Sequence, residues 1–212
     1  MIILGIDPAT GVASPTALAL VDTETNKLID YWIIQPNTKK LNHQQRVAYI
    51  ARAAQGIIKE VKPDKIFVET FVMQGKGGML LHQLIGALMA AAGYDDPWTI
   101  DTVFNTTVKR LVTGNGGADK LAVANGVMTQ LFNSKETLAD LILNRLFDVT
   151  DAAAIAIAGI LQKEENDNDE RQQYQTPRQG KKSVRKSRRS RKVKKSTRRT
   201  SRLSRRRKSP RS

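Results

Sequence analysis

Four acidic side chains, Asp7, Glu69, Asp148 and Asp151, stand where an acid is costly and therefore informative. Asp7 ends the apolar run Met1-Ile2-Ile3-Leu4-Gly5-Ile6 and precedes Pro8. Glu69 ends Lys65-Ile66-Phe67-Val68, shortly after Pro63. Each run reads as a buried strand leaving the core through a turn, with the carboxylate at its carboxyl end. A charge beside a core loses solvation unless something compensates it, and a bound cation is the natural compensator. Two such strands side by side bring Asp7 and Glu69 together. Asp148-Val149-Thr150-Asp151, followed by the apolar stretch from Ala152 to Leu161, reads as a helix start with both acids in its first turn. Residues three apart share a helix face, with Cβ atoms about 5–6 Å apart, so both reach one ion or an adjacent pair.

An all-oxygen donor set in a chain with no cysteine suits a hard cation that keeps several of its waters, which makes Mg2+ the expected metal. Two such ions about 3.5–4 Å apart bind the attacking water and the departing oxygen of an in-line phosphodiester displacement. The unpaired N–H groups of a helix start keep Asp148 and Asp151 ionised. Taken singly, Asp148 also reads as an ordinary helix cap and Asp7 as a turn residue. Glu69 is harder to place otherwise, because Glu is disfavoured in strands and rarely buried without a partner. The combination carries the chemistry.

In its motifs the chain resembles the RuvC family of Holliday-junction resolvases. The matching residues are Gly5-Ile6-Asp7-Pro8, Val68-Glu69, the segment from Val108-Lys109-Arg110 through Gly117-Ala118-Asp119-Lys120, and Asp148-Val149-Thr150-Asp151-Ala152 through Ala158. They follow in family order over roughly residues 1–162. The resemblance implies a ribonuclease-H-like fold, Mg2+-dependent cleavage of four-way or otherwise branched DNA with Mn2+ as a substitute metal, and a homodimer that nicks two strands symmetrically. Carried over by residue, it makes Asp7, Glu69, Asp148 and Asp151 the catalytic metal ligands for two ions, and sets Lys109 and Lys120 near the junction's phosphates. The chain departs from the family pattern at three places. Ala9-Thr10 follows Asp-Pro where the family has Gly, Val72 stands at a position that is commonly aromatic with Phe71 one place earlier, and Gly77–Gly93 holds no Lys or Arg.

The elements that must position these residues are legible as an α/β arrangement: a five-stranded mixed sheet flanked by helices. Ala17–Asp22 and Leu28–Ile34 read as the second and third strands of a meander joined by the Asp22–Lys27 turn. Val47, Ile50, Ala51, Ala54, Ile57, Ile58 and Val61 form a helical stripe over 43–61, ended by Lys62-Pro63. Met79–Ala92 reads as a second helix, 98–104 as the fifth strand, and three further helices complete the body. The second helix is apolar nearly all round, with Leu81, Leu84, Ile85 and Leu88 on one face and Leu80, Ala87 and Ala91 elsewhere. It therefore has a second surface to cover, either within the chain or in a dimer. His82 on this helix and His43 at the start of the first read as surface or interface residues, not as ligands.

Charge divides the chain. Residues 171–212 hold 20 of its 35 Lys and Arg and none of its 20 acids, so the +15 total belongs to the tail and residues 1–170 are net acidic. With Val184, Val193 and Leu203 as its only aliphatic residues, the tail cannot offset its chain entropy and is expected to be disordered when free. It is also expected to bind nucleic acid through phosphate neutralisation, with little sequence preference. The expected organisation is a nuclease domain over 1–163, an acidic linker over 164–170 and the tail over 171–212. No segment is long enough to span a membrane, and the opening apolar run is too short for a secretory signal, so an intracellular, DNA-associated setting is expected, in a bacterial cytoplasm or a virus-infected cell. Two rivals belong to other classes. A non-catalytic DNA-packaging protein would bind through its tail alone, and an actin-like ATPase or sugar kinase would need a second related domain.

Overall fold

Alternation along the strands decides where the acids go. A computed structural model of the chain describes residues 1–11, 14–71, 75–93 and 99–175. Five strands, β1 (Ile2–Asp7), β2 (Thr16–Asp22), β3 (Lys27–Ile34), β4 (Lys65–Thr70) and β5 (Ile100–Phe104), form one sheet in the order β3-β2-β1-β4-β5. β1 is antiparallel to β2 and parallel to β4, and β5 is parallel to β4. Side chains two apart share a face. Ile3, Ala17, Ala19, Phe67 and Val103 therefore enter one buried cluster, and Leu4, Ile6, Leu18, Ile66 and Val68 enter another on the opposite face. By the same parity Asp7 follows Ile3 and Gly5, and Glu69 follows Phe67.

The face carrying Leu4 and Ile6 is covered by α1 (His43–Val61) and α2 (Gly75–Gly93), which contribute Ile50, Ala54, Ile58, Leu84, Ile85 and Leu88. α1 begins with a capping box, in which the Gln45 amide donates to Asn42 Oδ1 and the Asn42 amide donates to Gln45 Oε1, each at 2.9 Å. It ends at Lys62 in the left-handed region (φ 46°), with Pro63 following. On the other face lie α3 (Asn105–Thr113), α4 (Lys120–Gln130), α5 (Lys135–Leu143) and the long α6 (Phe147–Gln175). Among the described residues no helix is long and apolar enough to cross a membrane.

Gly5 sets the depth at which α6 sits. A Cβ at that position would lie 2.0 Å from the Ala152 carbonyl oxygen and 2.8 Å from the Ala156 nitrogen, so the helix backbone rests directly on β1. Ala152, Ala153, Ala154 and Ala156 on α6 are all fully buried, and their small side chains permit this approach. Further along the same helix, Gly159 makes room for the Phe67 ring in a similar way.

The structure departs from the sequence reading in four details. Four α-helices follow β5 instead of three, because a 3-10 turn at Phe132–Ser134 separates α4 from α5 without a Gly or Pro to mark it. The buried Ser134 hydroxyl fixes that turn by accepting the Leu28 amide at 2.9 Å. The fifth strand begins at Ile100, with Trp98 outside the described residues, and α2 begins at Gly75, ahead of the expected Met79. Helix α6 runs unbroken through the segment expected as an acidic linker and on to Gln175. Its far half is held by Lys163 pairing with Asp101 of β5, and by the fork of Arg110 on α3 around Glu165 at 2.9 and 3.1 Å. Residues 164–168 are exposed, as a solvated segment requires. The expected tail beyond Gln175 lies outside the described residues, as does Val72.

Candidate metal and catalytic centre

Parallel pairing of β1 with β4 places Ile6 opposite Val68, and the next residue along each strand is an acid, Asp7 on one and Glu69 on the other. Both face α6. The helix starts at Phe147, so Asp148 lies in its first turn and Asp151 opens the next, a small correction to the expectation that both share the first turn. Asp7, Asp148 and Asp151 each present a carboxylate oxygen within 4.8 Å of the others. Segments far apart in sequence order thus converge, and Gly5 is what lets them: two residues before Asp7, it admits the helix backbone that carries the aspartates.

Glu69 lies in the same cleft but outside this trio. Its Oε1 accepts a hydrogen bond from Asn105 Nδ2 at 2.6 Å. The cleft is walled by Glu69, Asn105, Lys109, Lys120 and Asp151 over the apolar floor of Val108 and Val123. Asn105 and Lys109 are one helical turn apart on α3 and so share a face. Lys120, the first residue of α4, reaches both helix aspartates, with Nζ at 3.2 Å from Asp148 Oδ1 and 3.0 Å from Asp151 Oδ2.

The segment from Val108 to Lys120 is a clamp for the two lysines. Val108 and Val112 are buried, α3 closes at Gly114 in the left-handed region (φ 77°), and Asp119 caps α4 by accepting the Ala122 amide at 2.8 Å. Gly126 lets α4 approach α3 closely, since a Cβ there would lie 2.7 Å from the Val112 carbonyl oxygen. The first turn after Asp7 needs no glycine. Ala9 is not among the positive-φ residues, and Thr16 clasps its backbone from both sides, Oγ1 accepting its amide at 3.1 Å and donating to its carbonyl at 2.9 Å.

The electrostatics are those of a site short of positive charge. Burial holds the Asp7 carboxyl well above its ordinary range, and the charges of Glu69, Asp151 and Asp148 push it further. Glu69 is raised by burial against the opposing pull of its Asn105 hydrogen bond. Asp151 is raised by burial too, with Lys120 drawing it back. Burial draws Lys120 down, but its contacts to Asp151 and Asp148 outweigh that and leave it above its usual value. Crowded, partly buried carboxylates of this kind fit divalent cations held through oxygen.

All six residues singled out in the sequence fall in or beside one cleft. Asn105 was missed, though it directly follows an apolar strand and precedes Lys109 by one helical turn. Phe71, the aromatic nearest the expected stacking position, packs instead on His82 of α2, with ring centroids 4.9 Å apart at a tilt of 49°.

Comparison with known proteins finds relatives by profile, by sequence and by fold. The family profile described as crossover junction endodeoxyribonuclease RuvC matches residues 3–159. A crossover junction endodeoxyribonuclease RuvC of Chlorobium phaeovibrioides is 32% identical over 163 residues, covering 76% of this chain and 82% of that protein. One of Rickettsia conorii is 33% identical over 167 residues, covering 77% of this chain and 99% of that protein. Among solved structures, Thermus thermophilus RuvC in complex with Holliday junction substrate shares the fold with a TM-score of 0.62, at 20% identity over 78% of this chain and 96% of that one. The packaging alternative finds no support in these matches.

Proposed function

This chain belongs to the RuvC family of crossover junction endodeoxyribonucleases, and from that premise we propose that it cuts four-way DNA junctions by metal-assisted hydrolysis with Asp7, Glu69, Asp148 and Asp151 as its carboxylates. The observation that carries the assignment is the convergence of Asp7, Asp148 and Asp151 within 4.8 Å. The expected metal is Mg2+, with Mn2+ as a substitute and two ions per site. When bound, such ions supply Lewis-acid stabilisation of phosphate charge and a water of lowered pKa. Asp7 belongs to both ends of the site, being coupled electrostatically to Glu69 on one side and to Asp151 and Asp148 on the other.

The chain's own residues divide the remaining work. Lys109 lies on the α3 wall of the cleft, where this reading gives it a phosphate group to bind, and its charge favours the ionised forms of Glu69 and Asp151. Lys120 holds Asp148 and Asp151 in one orientation through its two ion pairs, and in this reading its ammonium group is a second cation available to a phosphate. Water attacks phosphorus, the bond to the 3′ oxygen breaks, and the products carry a 5′-phosphate and a 3′-hydroxyl.

Symmetric cleavage of a four-way junction calls for two centres, so the working unit in this proposal is a homodimer. On α2 the stripe of Leu84, Ile85, Leu88 and Ala92 is buried within the chain, whereas Met79 and Met89 remain 50% and 37% exposed. Those methionines are the apolar surface this reading gives to the partner, and sedimentation equilibrium of the full chain is the check.

The central test is a Mg2+ titration on four-way, three-way and linear DNA with the wild type and Asp7→Asn. The variant is expected to lose cleavage by at least about a hundredfold, beyond the usual effect of removing a mere supporting interaction, while still binding four-way DNA. Full activity in the variant refutes the assignment.

A further inference from the structure

Glu69 differs from the other three carboxylates in how it is held. The aspartates are short side chains on a strand end and a helix, and their positions follow from the backbone. Glu69 reaches the cleft on a longer arm with one more rotatable bond, and ordering such an arm costs rotamer freedom. Something must fix it if it is to serve as a ligand at no further entropic cost. Asn105 does so, donating from Nδ2 to Oε1 at 2.6 Å across 36 residues of sequence.

The placement of Asn105 makes this bond specific. An Asn beside a helix start ordinarily caps its own helix. Here the residue before it, Phe104, holds the N-cap place with no side-chain hydrogen bond, and Asn105 is already inside α3 as its first residue. Its amide is directed across to β4 instead. The joint from which it projects is as short as it can be, because β5 passes directly into α3 with no loop between them.

Resting on the metal-site reading above, we propose that Asn105 is a positioning residue for metal binding: by occupying Oε1 it fixes the Glu69 arm and leaves Oε2 as the oxygen that takes a divalent cation. Outer contacts of this type typically change metal affinity by about 10–100-fold when removed.

The test uses the full chain with Mn2+ as the probe, binding being followed by the electron paramagnetic resonance of the free ion. Wild type, Asn105→Ala, Asn105→Gln and Glu69→Gln are compared, with thermal melts in EDTA run on each. Asn105→Ala is expected to weaken Mn2+ binding by about 10–100-fold and to raise the Mg2+ needed for half-maximal cleavage of four-way DNA by the same factor. Its rate at saturating Mg2+ should stay within about threefold of wild type, and Asn105→Gln, which keeps the amide donor, should recover some of the affinity. If Asn105→Ala binds Mn2+ as wild type does while Glu69→Gln binds weakly, the positioning role is wrong and the Glu69 assignment stands; a shifted melt alone would mark Asn105 as a structural residue. If Glu69→Gln also binds normally, the carboxylate reading itself fails.

Discussion

Asp7 is raised well above its ordinary value and Glu69 and Asp151 are raised from theirs, with burial the first cause in each. Across the pH range between the unfolded and folded pKa values, the folded chain keeps protons that the unfolded chain has released. Stability therefore falls as pH rises through that window. Below the unfolded value, about 3.9 for Asp and 4.3 for Glu, the penalty is absent; above the folded values it is complete. In EDTA at neutral pH, calorimetry should accordingly show Asp7→Asn melting above the wild type, by about 2–4 °C for each kcal/mol of repulsion removed. The gap should close as pH approaches 4, and added Mg2+ should narrow it by stabilising the wild type. A variant melting below the wild type in EDTA would contradict this account of the site. Asp7 and Glu69 were legible in the sequence because each ended an apolar run, Asp148 and Asp151 because they opened a helix-like stretch, and Lys109 and Lys120 because a family motif enclosed them. Asn105 was not legible, since an Asn at a strand-to-helix joint is ordinary and its partner lies 36 residues away.

Strands and the first helix were legible because their side-chain periods are clean and their ends carry turn chemistry, as at Asp22–Lys27 and at Lys62-Pro63. The break between α4 and α5 was not, because it depends on a buried hydroxyl from Ser134 meeting a strand amide 106 residues away. Nor was the length of α6. Glu164-Glu165-Asn166-Asp167 looks like a solvated linker, and the partners that tie its helical form, Arg110 for Glu165 and Asp101 for Lys163, lie on other elements. Such exposed pairs are weak singly, because water screens them, so they fix where the helix end lies more than they stabilise it. Gly5 was noticed as a motif residue, but its reason is the packing of one element on another. Gly5→Ala should force α6 away from β1, since the nearest obstacle is the Ala152 carbonyl and not a flexible side chain end. Overpacking of this kind costs about 3 kcal/mol or more, equivalent to a fall in melting temperature of about 6–12 °C. Cleavage should fall disproportionately, because the displaced helix carries Asp148 and Asp151. A Gly5→Ala variant with wild-type melting and wild-type cleavage would show that the close approach is dispensable.

At the scale of the whole chain, charge and catalysis are assigned to different regions. The residues through Gln175 form one compact unit that holds every carboxylate of the site, whereas the concentrated positive charge lies further on. Truncation after Gln175 should lower nonspecific DNA affinity and flatten its salt dependence, by about 0.9 in the logarithmic slope for each phosphate no longer neutralised. Metal-dependent cutting at low salt should survive. An unchanged slope would remove the tail from DNA binding. The convergence of β1 with α6 also has a consequence for the moment of synthesis. Asp7 is translated ahead of the whole remaining sheet, and Asp148 and Asp151 only after it. A polypeptide still emerging from the ribosome therefore has one wall of the centre and lacks the other. On the proposed assignment, a translation product that stops short of residue 148 lacks two of the four carboxylates and is expected not to cut DNA, which a chain truncated before Asp148 would check in a nicking assay.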